Sequence, residues 1–86
     1  MNEIAKKVFI TGASGGIGSS ICDIFLRNKY TLVLTSSSED KIGNLKKLYG
    51  DHHFYYKVDI SDQIELQESM NQISNEHKDI SVIVNN

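Results

Sequence analysis

Between Thr11 and Gly18 the chain reads Thr-Gly-Ala-Ser-Gly-Gly-Ile-Gly, which places four of its six glycines within seven residues. Such a string suits an anion. Glycine permits φ > 0 in a tight turn, lets backbone N–H groups come close to a ligand, and lets a following helix approach the preceding strand. By position, Gly12 makes the turn, Gly15 and Gly16 give the close approach, and Gly18 gives the close packing. A helix opening at the end of the string aims its unpaired N–H groups and positive dipole end at the ligand, so a pyrophosphate is the expected occupant. A bare strand-to-helix turn has no need of four residues that each cost about 0.5–1 kcal/mol relative to alanine in regular structure. No Gly-Lys-Ser/Thr closes the string, which excludes a Walker-type phosphate loop.

Other side chains that could carry chemistry are less persuasive. His52 and His53 are adjacent, so an extended backbone would point them to opposite faces, and a surface loop is expected rather than a metal site. Tyr30, Tyr49, Tyr55 and Tyr56 lack a lysine four residues on, and Tyr55 and Tyr56 suit packing in or beside a strand. Cys22, the single cysteine, lies next to an apolar helical stripe and reads as a small buried residue with nothing nearby to lower its pKa.

The elements that must position the glycine string follow from periodicity. Val8–Thr11 is an apolar run suited to a strand covered on both faces. Ile17, Ile21, Ile24 and Phe25 fall at helical spacing and predict a helix to about Arg27. Thr31–Thr35 predicts a second strand. Ser37 or Ser38 caps a second helix with Glu39 and Asp40 in its first turn, Ile42, Leu45 and Leu48 inward, and Gly50 as its stop. Phe54–Val58 predicts a third strand. Ser61 and Asp62 supply the cap and first-turn acid of a third helix with Leu66, Met70 and Ile73 inward, ending near His77 and Lys78, where positive charge suits the carboxyl end of the dipole. Ile80–Val84 is the fourth strand. The β-α-β-α-β-α-β series predicts an α/β fold, a Rossmann-type doubly wound parallel sheet of strand order 3-2-1-4. Its switch point, at the carboxyl ends of strands 1 and 4, coincides with the glycine string, and a dinucleotide is the expected ligand.

Three motifs at the right elements now carry a resemblance: Thr11-Gly12-x-x-x-Gly16-x-Gly18 after the first strand, Val58-Asp59-Ile60 after the third, and Val84-Asn85-Asn86 after the fourth. Together they resemble the short-chain dehydrogenase/reductase family over the whole chain, and most resemble its 3-oxoacyl-(acyl carrier protein) reductases. Because Gly15 is present, the string also satisfies Thr-Gly-x-x-Gly-x-x-Gly, the spacing of the sugar-nucleotide epimerase branch; the asparagine pair favours the reductase branch. The resemblance implies that Gly12, Ser14, Gly16, Ile17 and Gly18 line the pyrophosphate and adjacent ribose. It further implies that Asp59 and Ile60 contact adenine, Asp59 through its side chain to the exocyclic amine, and that Asn86 stands beside the cofactor ribose. A second role is open for Asp59, that of a residue leading the chain into the third helix.

An NAD-selective site places a carboxylate at the end of strand 2, about 20 residues past the glycines. Thr35-Ser36-Ser37-Ser38 stands there instead. Ser36 and Ser37 can donate to a 2'-phosphate, so NADP(H) is favoured, with NAD(H) as the alternative. Against this, the family's NADP enzymes often carry Arg or Lys where this chain has Gly15, and Glu39 and Asp40 oppose a phosphate.

Composition narrows the setting. The chain has 86 residues and a formal net charge of -2, with nine Lys and Arg against 11 Asp and Glu, so there is no basic excess for nucleic acid. No stretch reaches the ~20 apolar residues of a membrane span, no Cys/His cluster has metal spacing, and a cytoplasmic location is expected. The family's catalytic Tyr-x-x-x-Lys pair is absent, so no catalytic residue is assigned. Residues 1–86 are therefore expected to be the incomplete cofactor-binding part of one domain, whose parent transfers hydride from NADPH to a 3-keto thioester on acyl carrier protein and is expected to form homo-oligomers. The competing expectation is a non-catalytic dinucleotide-binding or sensing module that needs a partner to cover strand 4; another carbonyl or alcohol substrate is a third.

Overall fold

The structure, a computed structural model, describes residues 6–86. Strands β1 (Lys6–Ile10), β2 (Tyr30–Ser36), β3 (Phe54–Lys57) and β4 (Ile80–Val84) alternate with helices α1 (Gly16–Arg27), α2 (Glu39–Tyr49) and α3 (Gln63–Glu76). All strand pairs are parallel, and the order across the sheet is β3-β2-β1-β4, as the element pattern predicts.

Side chains alternate across a strand, and this period sorts the core into two layers. Val8, Ile10, Leu32 and Leu34 face one way and meet Cys22 of α1 with Ile42 and Leu45 of α2. Phe9 and Val33 face the other way and meet Ile73 of α3, with Met70 and Tyr56 packed alongside. The consecutive apolar residues of β1 and β2 thus reflect burial on both faces. Helix α3 crosses to the face that α1 and α2 leave open, and this crossing puts β4 beside β1.

Two helical faces differ from expectation. Ile17 and Ile24 are exposed, and α1 instead buries Gly18 and Cys22, with Ile21 and Phe25 packed against the core. The cause is Gly18, where a Cβ would lie 2.6 Å from the Gly12 carbonyl oxygen. That contact sets the rotational phase of the helix and carries Ile17 outward. In α2, Leu48 is exposed and Tyr49 packs against the core in its place. At about 100° per residue, Tyr49 falls close to the direction midway between Ile42 and Leu45, whereas Leu48 lies about 90° from it.

His53 also departs from the surface-loop expectation. It is half-buried, and its Nδ1 accepts the Leu32 N–H at 3.0 Å. The β2–β3 ladder begins only at Val33 and Phe54, so the imidazole satisfies the strand N–H just below it. His52 is exposed, as expected.

Candidate functional site

The turn after β1 is held from both sides. The Thr11 N–H donates to the Val84 carbonyl at 3.1 Å and the Ala13 N–H donates to the Thr35 carbonyl at 3.1 Å, which suspends the glycine string between the ends of β4 and β2. Gly12 has φ +60°, a conformation that favours glycine. The Thr11 hydroxyl donates to Asn85 Oδ1 at 3.1 Å and accepts the Asn86 N–H at 3.1 Å, while Asn86 Nδ2 donates to the Gly12 carbonyl at 3.0 Å. The asparagine pair is therefore a clasp on the turn. The Asn86 amide retains a second N–H and its Oδ1, so this contact does not use up its capacity to meet a ligand.

The glycines divide by what a side chain would meet. At Gly18 a Cβ would strike the Gly12 and Ala13 backbone, whereas Gly15 and Gly16 face open space with no atom within 4 Å. Nothing within the protein requires glycine at those two positions, and the space before them can take a ligand backbone. Helix α1 opens here with Gly15 as its N-cap, without a capping side chain and without an acidic residue in its first turn. Its positive end is thus left available to an anion. Ser38 caps α2, resolving the choice between Ser37 and Ser38, and α3 differs from expectation in being capped by Asp62 rather than Ser61, because it is the Asp62 carboxylate that reaches the N–H groups of Ile64 and Glu65.

At the end of β2, Ser36 is buried and its hydroxyl lies 3.0 Å from that of Ser14. A pair of hydroxyls uses one proton for its mutual bond, so the second O–H remains free to donate. The sequence places these two serines 22 residues apart, and no local signal announces their contact. Ser37 is exposed beside them. Ile17 is exposed at the start of α1, next to Gly15 and Gly16.

Asp59 and Ile60 lie beyond β3. The Val58 N–H bonds to the Ser36 carbonyl at 2.9 Å, which ties this turn to the end of β2. The Asp59 Oδ1 accepts the Ser61 N–H at 3.0 Å and the Ser61 hydroxyl at 2.6 Å, and these bonds hold its carboxyl below the usual range. Asp59 does lead the chain into α3, and it remains an exposed, ionised acceptor. Between α3 and β4 runs a cleft of about 670 Å³ lined by residues including Gly12, Ile60, Leu66, Ile83 and Asn86. Gly12, Ile60 and the asparagine clasp therefore share one opening at the switch point, while Ser14, Gly15, Gly16, Ser36 and Asp59 lie outside its lining.

Cys22 is buried away from this opening, and burial pushes its thiol up to about 11, which leaves it a packing residue. Among the described residues, no helix is long and apolar enough to cross a membrane.

The short chain dehydrogenase family model matches residues 6–86, and the chain belongs to that family. An uncharacterized oxidoreductase of Saccharomyces cerevisiae is 36% identical over 85 residues, covering 96% of this chain and 34% of the relative. An NADP-dependent 3-hydroxy acid dehydrogenase of Salmonella typhi is 28% identical, covering 92% of this chain and 32% of its own length. A 3-oxoacyl-(acyl carrier protein) reductase of Vibrio harveyi is 27% identical across 100% of this chain and 35% of the relative. Among solved structures, ElxO with NADP bound superposes with a TM-score of 0.82 at 30% identity, covering 96% of this chain and 35% of that one. The chain spans about a third of the length of the curated relatives it matches.

Proposed function

We propose that this short-chain dehydrogenase chain is the NADP(H)-binding portion of a reductase acting on the 3-keto group of a 3-oxoacyl thioester carried by acyl carrier protein. The observation that carries the cofactor assignment is the Ser14–Ser36 hydroxyl pair at the end of β2, where an NAD-selective site would hold a carboxylate. Gly12, Gly15, Gly16, Ile17 and Gly18 would take the pyrophosphate, Ser14, Ser36 and Ser37 the 2'-phosphate, Asp59 and Ile60 the adenine, and Asn86 the ribose near the nicotinamide. When bound, the cofactor would supply a hydride to the keto carbon. These residues would hold and orient it, and the acid that protonates the carbonyl oxygen is not assigned within the 86 residues. The reductase of Vibrio harveyi supports the acyl substrate. A second reading, oxidoreduction of a 3-hydroxy acid, is favoured by the relative from Salmonella typhi, and both readings share a reacting carbon β to a carboxyl derivative. Cytoplasmic residence and homo-oligomeric assembly of the whole protein belong to the same proposal.

The test uses the full-length protein that carries this chain. Titration should show NADPH binding at least tenfold tighter than NADH, and equal affinities would overturn the cofactor assignment. NADPH oxidation should then be faster with acetoacetyl-acyl carrier protein than with free 3-keto acids. The reverse order would replace the thioester substrate by a 3-hydroxy acid pair.

A further inference from the structure

Helix α3 begins with Asp62 as N-cap, and Asp62 Oδ1 accepts the N–H groups of Ile64 and Glu65 at 3.1 Å each. This places Glu65 at the third helical position. A glutamate there ordinarily reaches back to the N-cap N–H and completes a capping box. Here the Asp62 N–H is already bonded to the Asp59 carbonyl at 3.2 Å, and Glu65 Oε2 instead accepts the N–H of Asp59 at 2.6 Å. The carboxylate has left its own helix end and gripped the turn after β3.

We infer that Glu65 is a positioning residue for the adenine end of the cofactor, fixing the Asp59–Ile60 segment by accepting the Asp59 N–H. The inference rests on the proposed dinucleotide site. Three contacts converge on Asp59: the Glu65 side chain holds its N–H, the Asp62 backbone N–H holds its carbonyl, and Ser61 holds one carboxylate oxygen through two bonds. The bonds from Ser61 both fall on Oδ1, which leaves Oδ2 as the oxygen to accept from an exocyclic amine. Because Asp59 is exposed, packing does not hold it, and these bonds define its orientation. The two shortest of them, Asp59 N–H to Glu65 Oε2 and Ser61 hydroxyl to Asp59 Oδ1, are each 2.6 Å and each end on a carboxyl oxygen. The carboxylates of Asp59 and Glu65 also disfavour phosphate at this turn and favour a neutral ring bearing donors.

The experiment compares Glu65→Ala, Glu65→Gln and Asp62→Ala in the full-length protein, with adenosine 2',5'-bisphosphate and NADPH as probes. Loss of a charge-assisted bond that orders the site should weaken both probes about tenfold in Glu65→Ala and raise the KM for NADPH with kcat unchanged. Glu65→Gln keeps an acceptor and should restore affinity to within about threefold. Asp62→Ala removes the helix cap without touching the Asp59 N–H, so it should lower thermal stability yet leave probe affinity near that of the wild type. The inference is overturned if Glu65→Ala binds both probes as the wild type does, if Glu65→Gln fails to rescue, or if Asp62→Ala weakens binding as much as Glu65→Ala. Failure of the wild type itself to bind either probe would instead remove the dinucleotide reading, and this inference with it.

Discussion

Gly16 and Gly18 stand two residues apart and are constrained by different things. A Cβ at Gly18 would lie 2.6 Å from the Gly12 carbonyl oxygen and 2.9 Å from Ala13 backbone atoms, none of which can swing aside as a side-chain tip would. Gly18→Ala should therefore destabilise the fold by about 1–3 kcal/mol, the usual cost of overpacking, measured by denaturant unfolding. Gly16 meets nothing within 4 Å, so Gly16→Ala should unfold at the wild-type denaturant concentration or slightly above it while weakening NADPH. Equal losses of stability in the two variants would show that both glycines serve packing alone. The packing role of Gly18 was legible in the sequence because a strand before the string and a helix after it leave few conformations to assign. The Ser14–Ser36 bond and the Asn86 clasp on Gly12 were not, since they join residues 22 and 74 apart and depend on the β3-β2-β1-β4 order being already in place.

Caps and terminal contacts decide how the helices sit. Ser38 Oγ accepts the Lys41 N–H at 3.2 Å as the cap of α2, whereas Ser37 is exposed on the neighbouring loop. Ser38→Ala should cost about 1 kcal/mol of stability with the preference for NADPH over NADH intact, and Ser37→Ala should do the converse. A shift of cofactor preference in Ser38→Ala would reverse the assignment. At the other end of α3, His77 is 4% exposed. Its Nδ1 lies 3.1 Å from the Lys7 ammonium, which can only donate. The Tyr56 hydroxyl donates to Glu76 Oε1 at 2.6 Å and sits 2.7 Å from His77 Nε2, so that nitrogen is the donor and the ring is neutral. Burial, with the Lys7 charge behind it, holds the His77 pKa below its ordinary 6.5. The unfolded chain then binds a proton that the folded chain refuses. Stability from this group is full above about pH 6.5 and declines as pH falls through the lower folded value. Thermal unfolding between about pH 7 and 5 should show a steeper decline for the wild type than for His77→Gln, and identical slopes would mean that His77 titrates normally in the fold. Sequence reading reached the end of α3 near His77 but assigned it only a favourable dipole position. Its partners Lys7 and Tyr56 come from β1 and β3, 70 and 21 residues away, and periodicity within a helix carries no information about them.

At the level of the whole sheet the two faces are covered unequally. Helices α1 and α2 share one face, and α3 alone serves the other, where Ile83 of β4 is 65% exposed beside the cleft. Among the described residues β4 pairs only with β1, so its outer edge presents unpaired N–H and C=O groups. The alternation of strands and helices predicted this arrangement because parallel strands need crossovers, and the apolar β4 marked itself as unsuited to an exposed edge. The phase of each helix over the sheet was less legible, since Gly18 and Tyr49 set it through contacts that hydrophobic spacing alone does not weigh. An exposed apolar side chain next to an open strand edge drives association with any similar edge. The 86 residues expressed by themselves should accordingly sediment as concentration-dependent oligomers. Ile83→Lys puts a charge on that face and, because the side chain is already mostly exposed, should shift the population toward monomer with little change in unfolding. A wild-type chain that is monomeric at every concentration, or an Ile83→Lys chain that associates as strongly, would show that β4 is not the surface through which the sheet seeks a neighbour.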